Sequence, residues 1–317
     1  MKKALIVGCT GQDGTYLFQN LQARQYTIIG IARNTVRSTL SESIHPIQIE
    51  NAQQVYDFIK EFKPDEVYYL AAYHHSSEDQ YVDDAELFRR SFDTHVVFLI
   101  NFLDGIKMYS RNSKLFYAAS SHIFGNPEES IQSETTPYNP NCIYGITKAA
   151  GVHACHYYRE NHSVFASVGI LYNHESPLRP RNFISKKIVE TAIAIKNKFK
   201  EELVLGNLNA EIDWGYAPDY VEAMVRILQL SFSDDFIISS GMTHSVRDFV
   251  SGVFECLDLD WTKYVKEDSS LITKKIKSNL RGNNQKLKSL TGWEPTVSFN
   301  ELIRIMVREG LTYSDVK

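Results

Sequence analysis

The sequence predicts an α/β protein, a doubly wound parallel sheet followed by a smaller C-terminal α/β lobe. Three observations lead there. Short apolar runs alternate with segments of helical period through the first half of the chain, the pattern of a parallel sheet covered on both faces. A glycine-rich turn joins the first apolar run to the first helical segment. After residue 171 the alternation stops, and the chain becomes polar and proline-containing.

The elements follow in order. The first strand is the apolar run at 4–7, and a helical pattern covers 14–24. Further strands are expected at 27–32, 67–71, 114–119 and 165–171, with helices at 55–62, 96–106 and 144–161 between them. Residues 173–182 read as a loop, 185–198 as a helix, and a last helix lies near 300–309. The expected division is a first domain over 1–172, with residues near 215–240 returning to it. A discontinuous second lobe takes up 173–317. A ligand is expected at the carboxyl ends of the strands, as in doubly wound sheets generally.

Composition excludes several classes. The chain has 317 residues, 43% of them hydrophobic, and a formal net charge of −4, enough for a large core and without the basic excess of a nucleic-acid binder. No apolar run approaches the roughly 18 residues of a membrane span, so no membrane partner is expected. MKKALIVG resembles the start of a leader, but the run stops at Gly8 with no cleavage site after it, so it reads as a strand. Cys9, Cys142, Cys155 and Cys256 form no Cys-x-x-Cys pair, which fits a reducing cytoplasm. His153-Ala-Cys-His156 reads as part of a helix, because no second ligand pair has zinc spacing, and no metal is expected.

The first strand runs into Gly8-Cys-Thr-Gly11-Gln-Asp-Gly14. Glycines let the backbone turn tightly and approach a pyrophosphate, and the helix N-terminus supplies amide donors and a favourable dipole. The second strand ends Gly30-Ile-Ala-Arg33, where an acid would grip the ribose hydroxyls of NAD. Arg33, with Arg37 nearby, instead suits a 2′-phosphate. NADP is the expected cofactor, NAD the alternative.

Tyr144-Gly-Ile-Thr-Lys148 places a tyrosine and a lysine four apart on one helix face. An ammonium beside a phenol is expected to lower the phenol's pKa, fitting it to take a proton from a sugar hydroxyl while hydride leaves. Ser120, at the end of the strand before it, completes the pattern.

Together these motifs resemble the extended short-chain dehydrogenase/reductases, and within them the GDP-mannose 4,6-dehydratases. The likeness runs through Gly11-Gln-Asp-Gly14-Thr-Tyr-Leu, Pro64-Asp-Glu-Val-Tyr-Tyr-Leu-Ala-Ala72 and Leu171-Tyr-Asn-His-Glu-Ser-Pro177. It continues through Leu205-Gly-Asn-Leu-Asn-Ala210, Asp213-Trp-Gly215, Thr243-His-Ser-Val-Arg247 and Gly292-Trp-Glu-Pro295. The resemblance implies a Rossmann-type domain and a GDP-sugar substrate oxidised to a 4-ketone. Water is then lost across C5 and C6, and hydride returns to C6. It also implies a place in polysaccharide biosynthesis.

By the same resemblance Tyr144 is the redox base, Lys148 its partner, and Ser120 the hydroxyl that holds the sugar. Gly8, Gly11, Gln12, Asp13, Gly14, Arg33, Ala71 and His174 fall to the cofactor, with Tyr144 and Lys148. His74, Ser121, Asn173, Arg179 and Lys187 fall to the substrate. A homodimer is expected, because the 33–50 loop that helps build the dehydratase tetramer is much shorter here.

His122 stands where the dehydratases place the glutamate that removes the C5 proton. Ser120 and His122 are two apart at a strand end and so are expected to face one site. An imidazole titrates near neutrality and can serve as that base. Equally, elimination is lost and the enzyme is a 4-oxidoreductase or epimerase, or His122 only packs. Other departures accompany it. Ile212 replaces an arginine near the pyrophosphate. Lys274, Lys275 and Lys277 stand where a second arginine is usual. His74 and His75 replace a smaller polar pair, so that His74, His75 and His122 are expected to share one pocket.

Overall fold

The computed structural model describes residues 1–33, 44–75, 81–271 and 280–314. Its first half runs β1 (Lys3–Val7), α1 (Gln12–Ala23), β2 (Thr27–Ile31), α2 (Ala52–Phe62), β3 (Glu66–Tyr69) and α3 (Asp84–Phe92). A π-helical turn (Asp93–Val97) leads into α4 (Phe98–Tyr109), then β4 (Lys114–Ser120), a 3-10 turn (Ser121–Ile123), α5 (Ile143–His162) and β5 (Phe165–Leu171). The second half begins with β6 (His174–Glu175), α6 (Ile184–Lys196), β7 (Leu203–Leu205), β8 (Glu211–Asp213) and β9 (Gly215–Tyr216). It continues with α7 (Ala217–Gln229), β10 (Asp235–Ile238), β11 (Thr243–Ser245), α8 (Val246–Cys256), β12 (Val265–Glu267), α9 (Gln285–Thr291) and α10 (Phe299–Ser314).

Six parallel strands form the main sheet in the order β10-β5-β4-β3-β1-β2. β4 and β5 are buried along nearly their whole length, which is why their sequences read as continuous apolar runs rather than alternating ones. One face is covered by α2, α4 and α5 through Val55, Ile59, Leu99, Phe102 and Val152. The other is covered by α1 and α7 through Leu17, Leu21, Tyr220 and Met224. Each such side chain, fully withdrawn from water, contributes about 1.5–3 kcal/mol. The chain crosses from β2 to β3 on opposite sides of β1, so the strand order reverses between β1 and β3. That crevice is where doubly wound sheets bind ligands.

Helices α6, α8 and α10 form a second core around Ile188, Phe249, Val253 and Met306. Ile212 packs against that core from β8 and brings no charge to the position. Asp219 on α7 fastens this region to the first. Its carboxylate accepts from Thr296 N–H at 2.9 Å and Val297 N–H at 3.1 Å, and its carbonyl accepts from the Trp293 indole at 2.8 Å.

The helix expected at 96–106 is longer toward its N-terminus than its apolar pattern indicates. Asp83 caps the Ala85 and Glu86 amides at 3.1 Å, and Glu86 pairs with Arg89 and Arg90. Capping and ion pairs, not apolar periodicity, begin this segment.

Candidate active site

The glycine loop lies at the strand reversal. Gly8 has φ of +94°, strained for any residue with a Cβ, and a Cβ there would sit 3.0 Å from Ala71 N. Ala71 follows β3, so the loop and the third-strand end face each other across the crevice. A Cβ on Gly14 would fall 2.3 Å from Gly8 O, so only glycine lets α1 approach the strand this closely. Gly11 starts α1 without a side-chain cap. This is a cradle shaped for a pyrophosphate, and the residues present fit a dinucleotide. Arg33 is exposed just beyond β2. Arg37, Lys274, Lys275 and Lys277 lie outside the described residues.

Asp13, in the first turn of α1, meets His174. The His174 Nδ1 lies 2.7 Å from Tyr172 O, and Nε2 lies 3.0 Å from both Asp13 carboxylate oxygens. Nδ1 therefore donates to the carbonyl, and a proton on Nε2 faces the Asp13 carboxylate. Burial alone would raise Asp13 and lower His174; their mutual charge outweighs it and leaves Asp13 low and His174 high. Gln12 adds a second tie, its amide donating to His174 O at 3.1 Å and accepting from Ser176 Oγ at 2.7 Å. Both His174 nitrogens are engaged inside the protein, by Tyr172 O and by Asp13 of the first turn of α1.

Ser120 ends β4, and its Oγ accepts from His122 N–H at 3.3 Å. The strand stops there. Ser121 and His122 lie on a 3-10 turn, so strand alternation is not what directs His122. The turn nevertheless brings the His122 ring to the Tyr144 ring, 5.9 Å between centroids and perpendicular. Ser121 is buried. Lys148, one helical turn after Tyr144, donates to Ala118 O at 2.7 Å and lies 5.7 Å from the Tyr144 centroid.

Lys148 stands beside Tyr144, and burial is the largest influence on the protonation of each. Burial pushes the phenol well up, and the same burial draws Lys148 down to about 7. Desolvation penalises the charged form of each, and it leads the shift in both.

Two further imidazoles pack on Tyr144. His74 lies edge-on at 5.3 Å and stacks on Phe183 at 5.1 Å, and the Arg179 guanidinium covers that ring's centroid at 3.7 Å. Arg179 also pairs with Glu175 at 3.1 Å. His95, from the π-helical turn, stands perpendicular to Tyr144 at 5.2 Å. The sequence reading missed His95. Its one available signal is a polar residue on the face that continues through Leu99, Phe102 and Ile106. His75 follows His74 and is half-buried. Asn173 is half-buried at the lobe boundary, where its carbonyl accepts from Gly215 N–H at 2.8 Å. Lys187 lies in α6, half-buried beside Lys186, whose ammonium donates to Pro177 O at 2.8 Å.

The sequence profile of the GDP-mannose 4,6 dehydratase family matches residues 5–306. The chain belongs to this family. GDP-mannose 4,6 dehydratase 2 of Arabidopsis thaliana is 36% identical over an alignment covering 98% of this chain and 87% of that one. Among solved structures, RMD from Pseudomonas aeruginosa complexed with NADPH superposes with a TM-score of 0.83 at 18% identity, covering 99% of this chain and all of that one. The dTDP-glucose 4,6-dehydratase of Bacillus anthracis, in complex with NAD, gives 0.84 at 18%, covering 99% and 98%. The second pair shares the fold. Within the dehydratase family, this chain carries a phenol ringed by three histidines. No helix among the described residues is long and apolar enough to cross a membrane.

Proposed function

We propose that this protein is an NADP-dependent nucleotide-sugar enzyme that oxidises C4 of a GDP-linked hexose, GDP-mannose first among them, and eliminates water through the 4-ketone. The observation that carries this reading is the Lys148 ammonium set over the Tyr144 ring and bonded to Ala118 O, two residues before the end of β4 at Ser120, in a chain of the dehydratase family. Gly8, Gly11 and Gly14 would hold the pyrophosphate against the α1 amides, with Arg33 reaching the 2′-phosphate. The bound dinucleotide supplies a hydride acceptor, a later hydride donor and, when oxidised, a positive ring charge.

The protein's own groups handle protons and position. Ser120 Oγ holds the C4 hydroxyl. Tyr144 takes the proton from it and returns it at the end. Lys148 stabilises the phenolate and orients the ribose. His122 removes the C5 proton once the ketone has acidified it, since a neutral imidazole is a competent base near pH 7. Arg179, Asn173 and Lys187 hold the nucleotide sugar, with His74 and Ser121 lining the sugar pocket.

A second reading is favoured by one residue. An imidazole at position 122, in place of a carboxylate, also suits an enzyme that oxidises C4 and then reduces or epimerises without elimination. One experiment separates the two. The purified protein is incubated with NADP and a panel of GDP-, dTDP- and UDP-hexoses, and the products are weighed by mass spectrometry. Loss of one water from a GDP-sugar supports the dehydratase. An isomer of unchanged mass, or a product short of two hydrogens, supports the alternative. No product from any sugar sinks both.

The working unit is a homodimer in the cytoplasm. Phe88, Phe92 and Val97 on one helical segment, with Ile146 and Tyr157 on α5, leave apolar area exposed for a second copy. All four cysteines are free, in keeping with a reducing compartment.

A further inference from the structure

We infer that His95 is a positioning residue: a neutral imidazole that pins the backbone of residues 71–75 to the first turn of α5 and so fixes His74 against Tyr144. Tyr73 N–H points at His95 Nε2 at 3.0 Å. An amide nitrogen can only donate, so Nε2 carries no proton. The proton sits on Nδ1, which lies 2.8 Å from Thr147 Oγ1 and donates to it. Thr147 passes its own hydroxyl proton on to the carbonyl of Ile143 at 3.0 Å or Tyr144 at 3.1 Å. The donors thus run in one direction, from Tyr73 through His95 and Thr147 to the backbone that bears the phenol.

A second ring proton would set two donors against each other at Tyr73 and break the tie. The surroundings oppose it. His95 is fully buried, and Lys148 on α5 and His74 on the pinned segment add repulsion, holding the imidazole well below its ordinary range. From β4 the Tyr117 hydroxyl donates to His95 O at 3.3 Å. The position is held from its main chain as well as its ring. Because Tyr73 immediately precedes His74, the tie governs the stack that reaches through Phe183 to Arg179 at the lobe boundary.

The test compares His95→Gln, His95→Asn and His95→Phe. A glutamine carbonyl can reach the place of Nε2 and accept from Tyr73; the shorter asparagine can reach only the place of Nδ1, and phenylalanine can do neither. The first readout is hydrogen exchange at the Tyr73 amide, resolved by fragmentation mass spectrometry, and it needs no substrate. Loss of one buried hydrogen bond should speed exchange about tenfold. The expected result is protection near the parent level in His95→Gln, and faster exchange in the other two, confined to 71–75 with β4 unchanged. Should His95→Phe not fold, the Gln–Asn comparison decides. Equal Tyr73 protection in Asn and Gln variants, or faster exchange spread equally over β4, overturns the proposal. The second readout rests on the dehydratase reading. With GDP-mannose, kcat should fall by roughly tenfold to a hundredfold in His95→Asn and recover in His95→Gln, the scale of a misplaced active-site group. A panel with no turnover would count against the proposed function, while the exchange result would still decide the role of His95.

Discussion

Tyr144 and His122 carry the chemistry at the scale of single residues, and they were legible to different degrees. The Tyr-x-x-x-Lys spacing is a property of one helix, so sequence shows it directly. The protonation state of the pair is not, because burial raises the phenol and lowers Lys148, and burial depends on elements far apart in the chain. Tyr144→Phe removes one hydroxyl and little volume. The single-turnover rate of NADP reduction on adding GDP-mannose should fall by about 10²–10⁴-fold, the usual contribution of one acid–base group, with the melting temperature unchanged. Persistence of near-parent reduction would assign the proton transfer elsewhere. His122→Ala should still form the ketone but stall there. Nicotinamide absorbance should rise and stay, and solvent deuterium should no longer enter C5. His122→Glu is the complementary change and should restore full turnover to a deoxy product. If both variants give the parent product at the parent rate, His122 has no chemical role. His95 shows in the sequence only as a polar residue on an apolar helix face, a signal that does not separate a histidine that packs from one that faces a tyrosine about fifty residues on.

Among the elements, those whose two ends carry sequence signals were the readable ones. The expected 144–161 helix is α5, Ile143–His162, with Cys142 at its N-cap and Ser163 in the left-handed region at its end. β5 needed no adjustment at either end beyond its apolar run. The two- and three-residue strands of the second lobe show no alternation to detect, since β6 and β9 are only His174–Glu175 and Gly215–Tyr216. Long-range pairing makes them strands, not propensity. The glycine loop is the opposite case, since its spacing alone points to a close contact between α1 and the strand before it. Gly14→Ala tests the contact. The added methyl meets backbone on both Gly8 and Cys9, which cannot swing aside as a side chain could. Destabilisation of about 1–3 kcal/mol is expected from overpacking, read as a lower urea midpoint, together with loss of NADP binding by calorimetry. A variant with parent stability and affinity would show that α1 can retreat without consequence.

For the molecule as a whole, the Asp13–His174 pair joins the glycine loop to the beginning of the second lobe, and its strength depends on pH. His174 has a raised folded pKa, so its contribution is complete below the ordinary histidine range and fades as pH rises through the folded value. Asp13 has a lowered folded pKa, so its contribution is complete above the ordinary carboxylate range and fades as pH falls through the folded value. Full strength therefore lies between about pH 4 and pH 6.5. The stability difference between the parent and Asp13→Asn should be largest in that window and shrink on both sides; a difference flat from pH 4 to pH 9 would remove the ion pair from the account. The sheet itself holds a different consequence. Its edge strand β10 pairs with β5 but is encoded beyond β6–β9 and α7. During synthesis, β5 must therefore leave the ribosome with a bare row of amides and carbonyls on its outer side. It waits, unsealed, while the whole excursion from His174 to Gln229 is translated. Until β10 arrives, that row is open to pairing with any other extended segment.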